Sequence, residues 1–142
     1  AALMRSEAAR FVRSGLVRVQ PWSVALQLLW GSISLAQSRA PGDAAWRAAC
    51  RQLRGLQRAR ARWAVPSAAL LEAGLARRRN AVEVARSAYA RARSGFLALG
   101  MEGYAAAAAS GEAQLCGQPA DAAWFEAQNI ADREAWTRMY AP

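Results

Sequence analysis

Among its 142 residues the chain has no lysine and no histidine. Without an imidazole it lacks the commonest general base at neutral pH and the commonest metal ligand. Cysteine is reduced to Cys50 and Cys116, far apart and with no CxxC pair. They read as two buried free thiols, with a single disulfide as the alternative, and no structural zinc site can be assembled from them. Val and Ile are scarce, and no run alternates apolar with polar residues over a strand's length, which excludes a sheet. Also missing are a GxSxG turn, a Gly-rich phosphate loop and a cysteine with a base beside it. The acids are mostly single and sit at helix starts, where capping accounts for them. The expectation is a non-enzyme with no catalytic residues, no cofactor and no metal.

What is present is alanine and arginine. Hydrophobic residues make up 54% of the chain, but most are Ala, the best helix former and a poor core filler. Six Trp supply the bulk that Ala cannot. The composition predicts one all-α domain over residues 1–142 that gains stability from neighbours. All 19 basic residues are Arg, and they are unevenly placed. Residues 1–95 hold 17 Arg against Glu7, Asp43, Glu72 and Glu83, whereas residues 96–142 hold two against six acids. A basic portion and an acidic portion on one chain imply two kinds of surroundings, the first of them anionic.

Breakers and caps divide the chain into about six to eight helices. The opening AALMRSEAARFVRSGLVRV is Arg-rich, acid-poor and amphipathic. It resembles the tail of an organelle transit peptide, and reads equally as a first helix. Pro21 opens a helix from Trp22 to Gln37, with Ala25, Leu26, Leu29, Ile33 and Ala36 on the side expected to be covered and Ser23, Gln27, Gly31, Ser34 and Ser38 on the other. Residues 19–38, between Arg18 and Arg39, carry no charge and are long enough for a bilayer. Seven of them are polar, which favours a buried amphipathic helix over a span. Further helices are expected from Ala44 to Ala64 behind Asp43, from Ser67 to the Arg77–Arg79 cluster, and from a capping box at Asn80 and Glu83 to a stop at Gly95. Two more follow, Glu102–Ala109, stopped at Ser110-Gly111, and one capped by Asp121 that runs to Met139.

Two of these helices open alike. Asp43-Ala-Ala-Trp46-Arg-Ala-Ala49 and Asp121-Ala-Ala-Trp124-Phe-Glu-Ala127 share five of seven residues at an offset of 78. With Asn80 between them, the cap positions are 37 and 41 residues apart, each interval holding about two helices. That is the mark of an array of antiparallel helical hairpins, an irregular α-solenoid. The capped start running into Ser87-Ala-Tyr-Ala-Arg-Ala-Arg-Ser-Gly95 resembles the first helix and turn of a pentatricopeptide hairpin, and the wider period is near that of octotricopeptide repeats. The resemblance implies an organellar protein that binds single-stranded RNA through successive hairpins. The spacing is irregular, the Pro-Asp between repeats is missing, and no base-reading residues carry over.

The candidate site is the helix after Asp43. On a helical wheel Arg47, Arg51, Arg54, Arg58 and Arg62 fall within one arc, and Trp46, Ala49, Leu53, Leu56 and Trp63 lie opposite. Arg60 falls on the apolar side and needs a partner of its own. Like charges three and four apart cost a helix a few tenths of a kcal/mol per pair, and no Glu relieves them. An anionic partner is the natural reason for such a row, since Arg suits phosphate oxygens. Arg77, Arg78, Arg79, Arg86 and Arg93 are expected to extend the surface, and the Trp to pack the core. The chain therefore reads as a structural accessory subunit of a large organellar ribonucleoprotein, a ribosome first, and of a mitochondrion ahead of a plastid. Residues 39–93 would meet rRNA and residues 96–142 protein. The competing reading is an accessory subunit of a respiratory or photosynthetic membrane complex, with residues 19–38 in or against the bilayer.

Overall fold

The structure is a computed structural model that describes residues 20–118 and 122–140. The described residues are all helical apart from their turns. They form α1 (Gln20–Gln37), α2 (Ala44–Arg58), α3 (Ala64–Arg78), α4 (Val82–Leu97), α5 (Glu102–Leu115), α6 (Ala123–Ala127) and α7 (Arg133–Tyr140). Each of α2 to α5 packs on the helix before it, α1 also reaches α3, and α7 packs on α5 and touches α1. Short turns between packed neighbours give the expected array of antiparallel hairpins. The expected first helix, and Asp121 as a cap, lie outside the described residues.

The central helix explains how an alanine-rich chain builds a core. In α3 Ala64, Pro66 to Leu71 and Ala73 to Ala76 are all buried, so it is covered around most of its circumference, with Val65 and Glu72 on the side left open. Leu71, Leu75, Ala64 and Ala68 face α1 and α2 with Val24, Leu28, Leu35, Trp46 and Leu56. Leu70, Ala69 and Ala73 join Tyr89, Phe96 and the Ala105–Ala108 region of α4 and α5. Tyr104 touches both groups. The C-terminal helices are held by aromatic contacts: Tyr104 lies 5.0 Å from Phe96 and 5.1 Å from Tyr140, and Trp136 lies 4.4 Å from Tyr140.

Small residues let these thin helices approach closely, and here several sequence expectations change. Gly95 and Gly111 do not stop helices. Each lies inside one, where an added Cβ would come within 2.8 Å of Pro66 and 2.6 Å of Tyr89, respectively. Asn80 is not an N-cap either. It adopts φ 57° just past α3, and Ala81 N–H donates to Ala76 O at 3.0 Å, the bond pattern of a left-handed helix terminator. Gly100, Gly117 and Asn129 end α4, α5 and α6 the same way. Ser67 is not a cap: its Oγ donates to Trp63 O at 2.8 Å within α3. Pro66 falls in the first turn of α3, where no N–H is needed. The expected last helix is broken at Asn129, and Asp132 caps the second piece by accepting from Ala135 N–H at 2.8 Å.

α1 turns the other way from its expected orientation. Val24, Leu28, Gly31 and Leu35 are the buried set, while Leu29 is 45% exposed and Ala36 is exposed. The reason is local: Leu71 fits against Gly31, where a Cβ would lie 2.5 Å from its Cδ2, so the side of α1 that carries Gly31 turns inward, and Val24, Leu28 and Leu35 go in with it. No described helix is long and apolar enough to cross a membrane. Cys50 is half-buried and Cys116 is exposed, against the expectation of two buried thiols; both are free.

Candidate nucleic-acid interface

Asp43 fixes where α2 begins. Its carboxylate accepts from the backbone N–H of Trp46 at 2.6 Å, of Arg39 at 2.8 Å and of Ala40 at 3.3 Å, and from the Ser38 hydroxyl at 3.2 Å. These bonds, that from Trp46 foremost, hold its pKa down at about 2. The carboxylate is thereby committed to the turn. Trp46, Ala49 and Leu56 then bury the inner face of α2, as the wheel predicted, and Arg47, Arg51, Arg54 and Arg58 are exposed on the outer face. From Arg47 to Arg58 the row covers about 16 Å along the axis.

Among the described residues no carboxylate pairs with any of these four; the ion pairs lie elsewhere. Arg47 donates to Gly42 O and Arg54 to Cys50 O, contacts that leave the charges uncompensated. The three adjacent like-charge pairs cost the helix roughly 1 kcal/mol in all. An anion laid along the row would relieve that repulsion.

The row is shorter than expected. α2 ends at Arg58, with Ala59 extended at φ −71° and ψ 138°, so Arg62 sits in the turn before α3. It is exposed there, as is Arg60, which faces solvent rather than an apolar surface and has no carboxylate partner among the described residues. Arg39, which was not among the expected site residues, is likewise exposed and has no paired carboxylate among the described residues. Its position beside the turn that Asp43 organises is the signal that could have found it.

The second group of arginines is largely occupied by the fold. Arg77 bonds Gln114 Oε1 at 3.2 Å and the hydroxyl of Tyr89, whose pKa burial nonetheless raises. Arg78 donates to Ser38 O at 3.1 Å, tying α3 to the end of α1. Arg79 lies over the Trp46 ring, 4.7 Å from its centroid, a cation–π contact. Arg86 pairs with Glu83 at 2.8 Å and Arg93 with Glu112 at 3.7 Å. Arg91 is taken by Glu72 at 2.7 Å. Arg77 to Arg79 therefore position the hairpins, and Arg86 and Arg93 are neutralised. Among the described residues the α2 row and its flanking Arg39, Arg60 and Arg62 are exposed without a carboxylate partner; Arg77, Arg78 and Arg79 also lack one but are tied to Gln114, Ser38 and Trp46. Of the Trp expected in the core, Trp46 is buried, Trp22 is 55% exposed, and the other four are partly buried. No family model, no curated protein and no solved structure matches this chain.

Proposed function

We propose that the chain is a non-catalytic accessory subunit of an organellar ribonucleoprotein, a ribosome in the first instance, that holds RNA by its phosphates along α2. The observation that supports this is the row Arg47, Arg51, Arg54 and Arg58, exposed together with no carboxylate against it among the described residues. Arginine's planar fork of donors suits phosphate oxygens. Contacts of this kind fix position without reading bases, so binding is strong at low salt and indifferent to sequence. The acidic residues 96–142 are the side for protein neighbours. The hairpin array is in keeping with the pentatricopeptide-like resemblance.

Replacing all four by Gln keeps helix propensity and length while removing the charges. Affinity for a single-stranded RNA should fall, and the slope of log affinity against log salt should flatten by roughly three units. An unchanged slope refutes the reading. A second reading, a subunit lying against the membrane of a respiratory or photosynthetic complex, is favoured by the outward apolar residues of α1. Co-flotation with anionic vesicles and no RNA binding would put it first.

A further inference from the structure

The Arg row of α2 ends in a cleft. Where α2 stops at Arg58, the extended turn through Ala59 and Arg60 and the first two turns of α1 enclose a hollow of about 290 Å³. Ser23 and Gln27 belong to one wall, Gly55 and Arg58 to the other, and Arg60 stands on the turn. Arg58 and Arg60 are both exposed, and neither has a carboxylate partner among the described residues. No acid lines the cleft. Two guanidinium groups thus border one small volume with nothing to balance them.

Gln27 adds to this. Its Oε1 is pressed against α2 at Gly55, where an added Cβ would lie 2.5 Å away. There it is buried with no hydrogen-bond partner among the described residues. A buried acceptor without a bond is a cost to the fold, and the arrangement leaves the amide N–H groups as what Gln27 offers the cleft. The lining is therefore rich in donors, two Arg forks and an amide. Helix dipoles do not reverse its sign, because the N-terminal end of α1 and the C-terminal end of α2 lie side by side and oppose each other.

Donors grouped in this way suit an anion, and the shape bears on which kind. On the open face of α2 a strand can run past Arg47, Arg51 and Arg54 and present one phosphodiester after another. In the cleft a phosphate has α1 on one side and the turn at 59–61 on the other, so a strand's end fits where a continuing strand would have to fold back. A terminal phosphate monoester carries a charge of about −1.5 to −2 at pH 7 and has three acceptor oxygens, whereas an internal phosphodiester carries a single charge. Three donor groups match the former.

We propose that the cleft is a pocket for the terminal phosphate monoester of a single-stranded RNA, held by Arg58, Arg60 and the Gln27 amide. This rests on the reading of the α2 row as a phosphate-holding surface and adds an end point to it. The row reads no bases and would let a strand slide; an anchored end sets where the strand lies.

The test measures binding of the full chain to one single-stranded RNA, labelled internally, in three forms: both ends hydroxyl, a 5′-phosphate, or a 3′-phosphate. One phosphorylated form should bind at least about fivefold more tightly than the hydroxyl form. Arg60→Gln should bring that ratio to about one and leave affinity for the hydroxyl form within about twofold. Gln27→Leu should lower the ratio as well. Arg47→Gln removes the same charge about 16 Å away at the far end of the row, and should weaken all three forms alike. Circular dichroism checks that each variant keeps its helix. Equal affinities for the three forms, with steep salt dependence intact, overturn this proposal and leave the reading of the row standing. No binding of any form overturns both. A ratio that survives Arg60→Gln means that the extra charge acts elsewhere on the surface. Capture by phosphatidic acid vesicles with no preference among the RNA forms points to a lipid headgroup instead. Either result overturns the proposal.

Discussion

Gly111→Ala sets two effects of known size against each other. On an exposed helix the change should stabilise, since Ala is about 1 kcal/mol better than Gly in a helix interior. At position 111 the new Cβ would lie 2.6 Å from Cε1 and 2.7 Å from Cζ of Tyr89. That ring is fully buried, and its hydroxyl is held by Arg77, so it cannot swing aside. Overpacking of this kind costs about 1–3 kcal/mol, and contact with a rigid ring belongs at the upper end. The net expectation is a loss of about 1–2 kcal/mol, read as a lower urea midpoint by far-ultraviolet circular dichroism. On a Tyr89→Leu background the clash is relieved, and the same substitution should become neutral or stabilising, a coupling of about 1–3 kcal/mol. Stabilisation of the otherwise unaltered protein by Gly111→Ala would refute the packing of α5 on α4.

Three further outcomes follow from the same contacts. Because the hydrogen bonds to Asp43 lower its pKa from 3.8 to about 2, its contribution to stability is full above pH 4 and is lost as pH falls from there towards 2; Asp43→Asn should flatten the urea midpoint against pH in that window. Arg79→Gln, which removes the cation from the Trp46 ring, should cost about 0.5–1 kcal/mol in thermal or urea unfolding. Arg86→Gln should leave the salt slope of RNA binding unchanged while Arg51→Gln lowers it by somewhat under one unit, because Glu83 already compensates Arg86.

Local chemistry was legible in the sequence and tertiary commitments were not. Asp43 behind Pro41-Gly42 could be recognised as a cap, and the wheel of α2 separated Trp46, Ala49 and Leu56 from the arginines correctly. Asn80 could not be settled locally, because Asn suits both an N-cap and a left-handed terminator. Gly95 and Gly111 look like stops until the bulk opposite them, Pro66 and Tyr89, is known. α1 is apolar on both sides, so periodicity could not choose which side faces inward; the approach of Leu71 to Gly31 decided it. The candidate site shrank for the same reason. The pairing of Arg86 with Glu83 could be read at a spacing of three, but the bond from Arg78 to Ser38 spans 40 residues.

The left-handed residues that end α3, α4, α5 and α6 also bear on how quickly the chain folds. Each terminator closes a turn with bonds inside a handful of residues, so a hairpin can form before distant parts of the chain meet. Contacts between sequence neighbours cost little loop-closure entropy, and helical proteins built this way fold in roughly microseconds to milliseconds. In a nearest-neighbour array nucleation can begin at any hairpin and spread outward. α7 is the exception, for its contact with α1 joins the two ends of the described chain. It can be completed only after the intervening hairpins have brought those ends together, which makes α7 the last helix to settle and the first to fray.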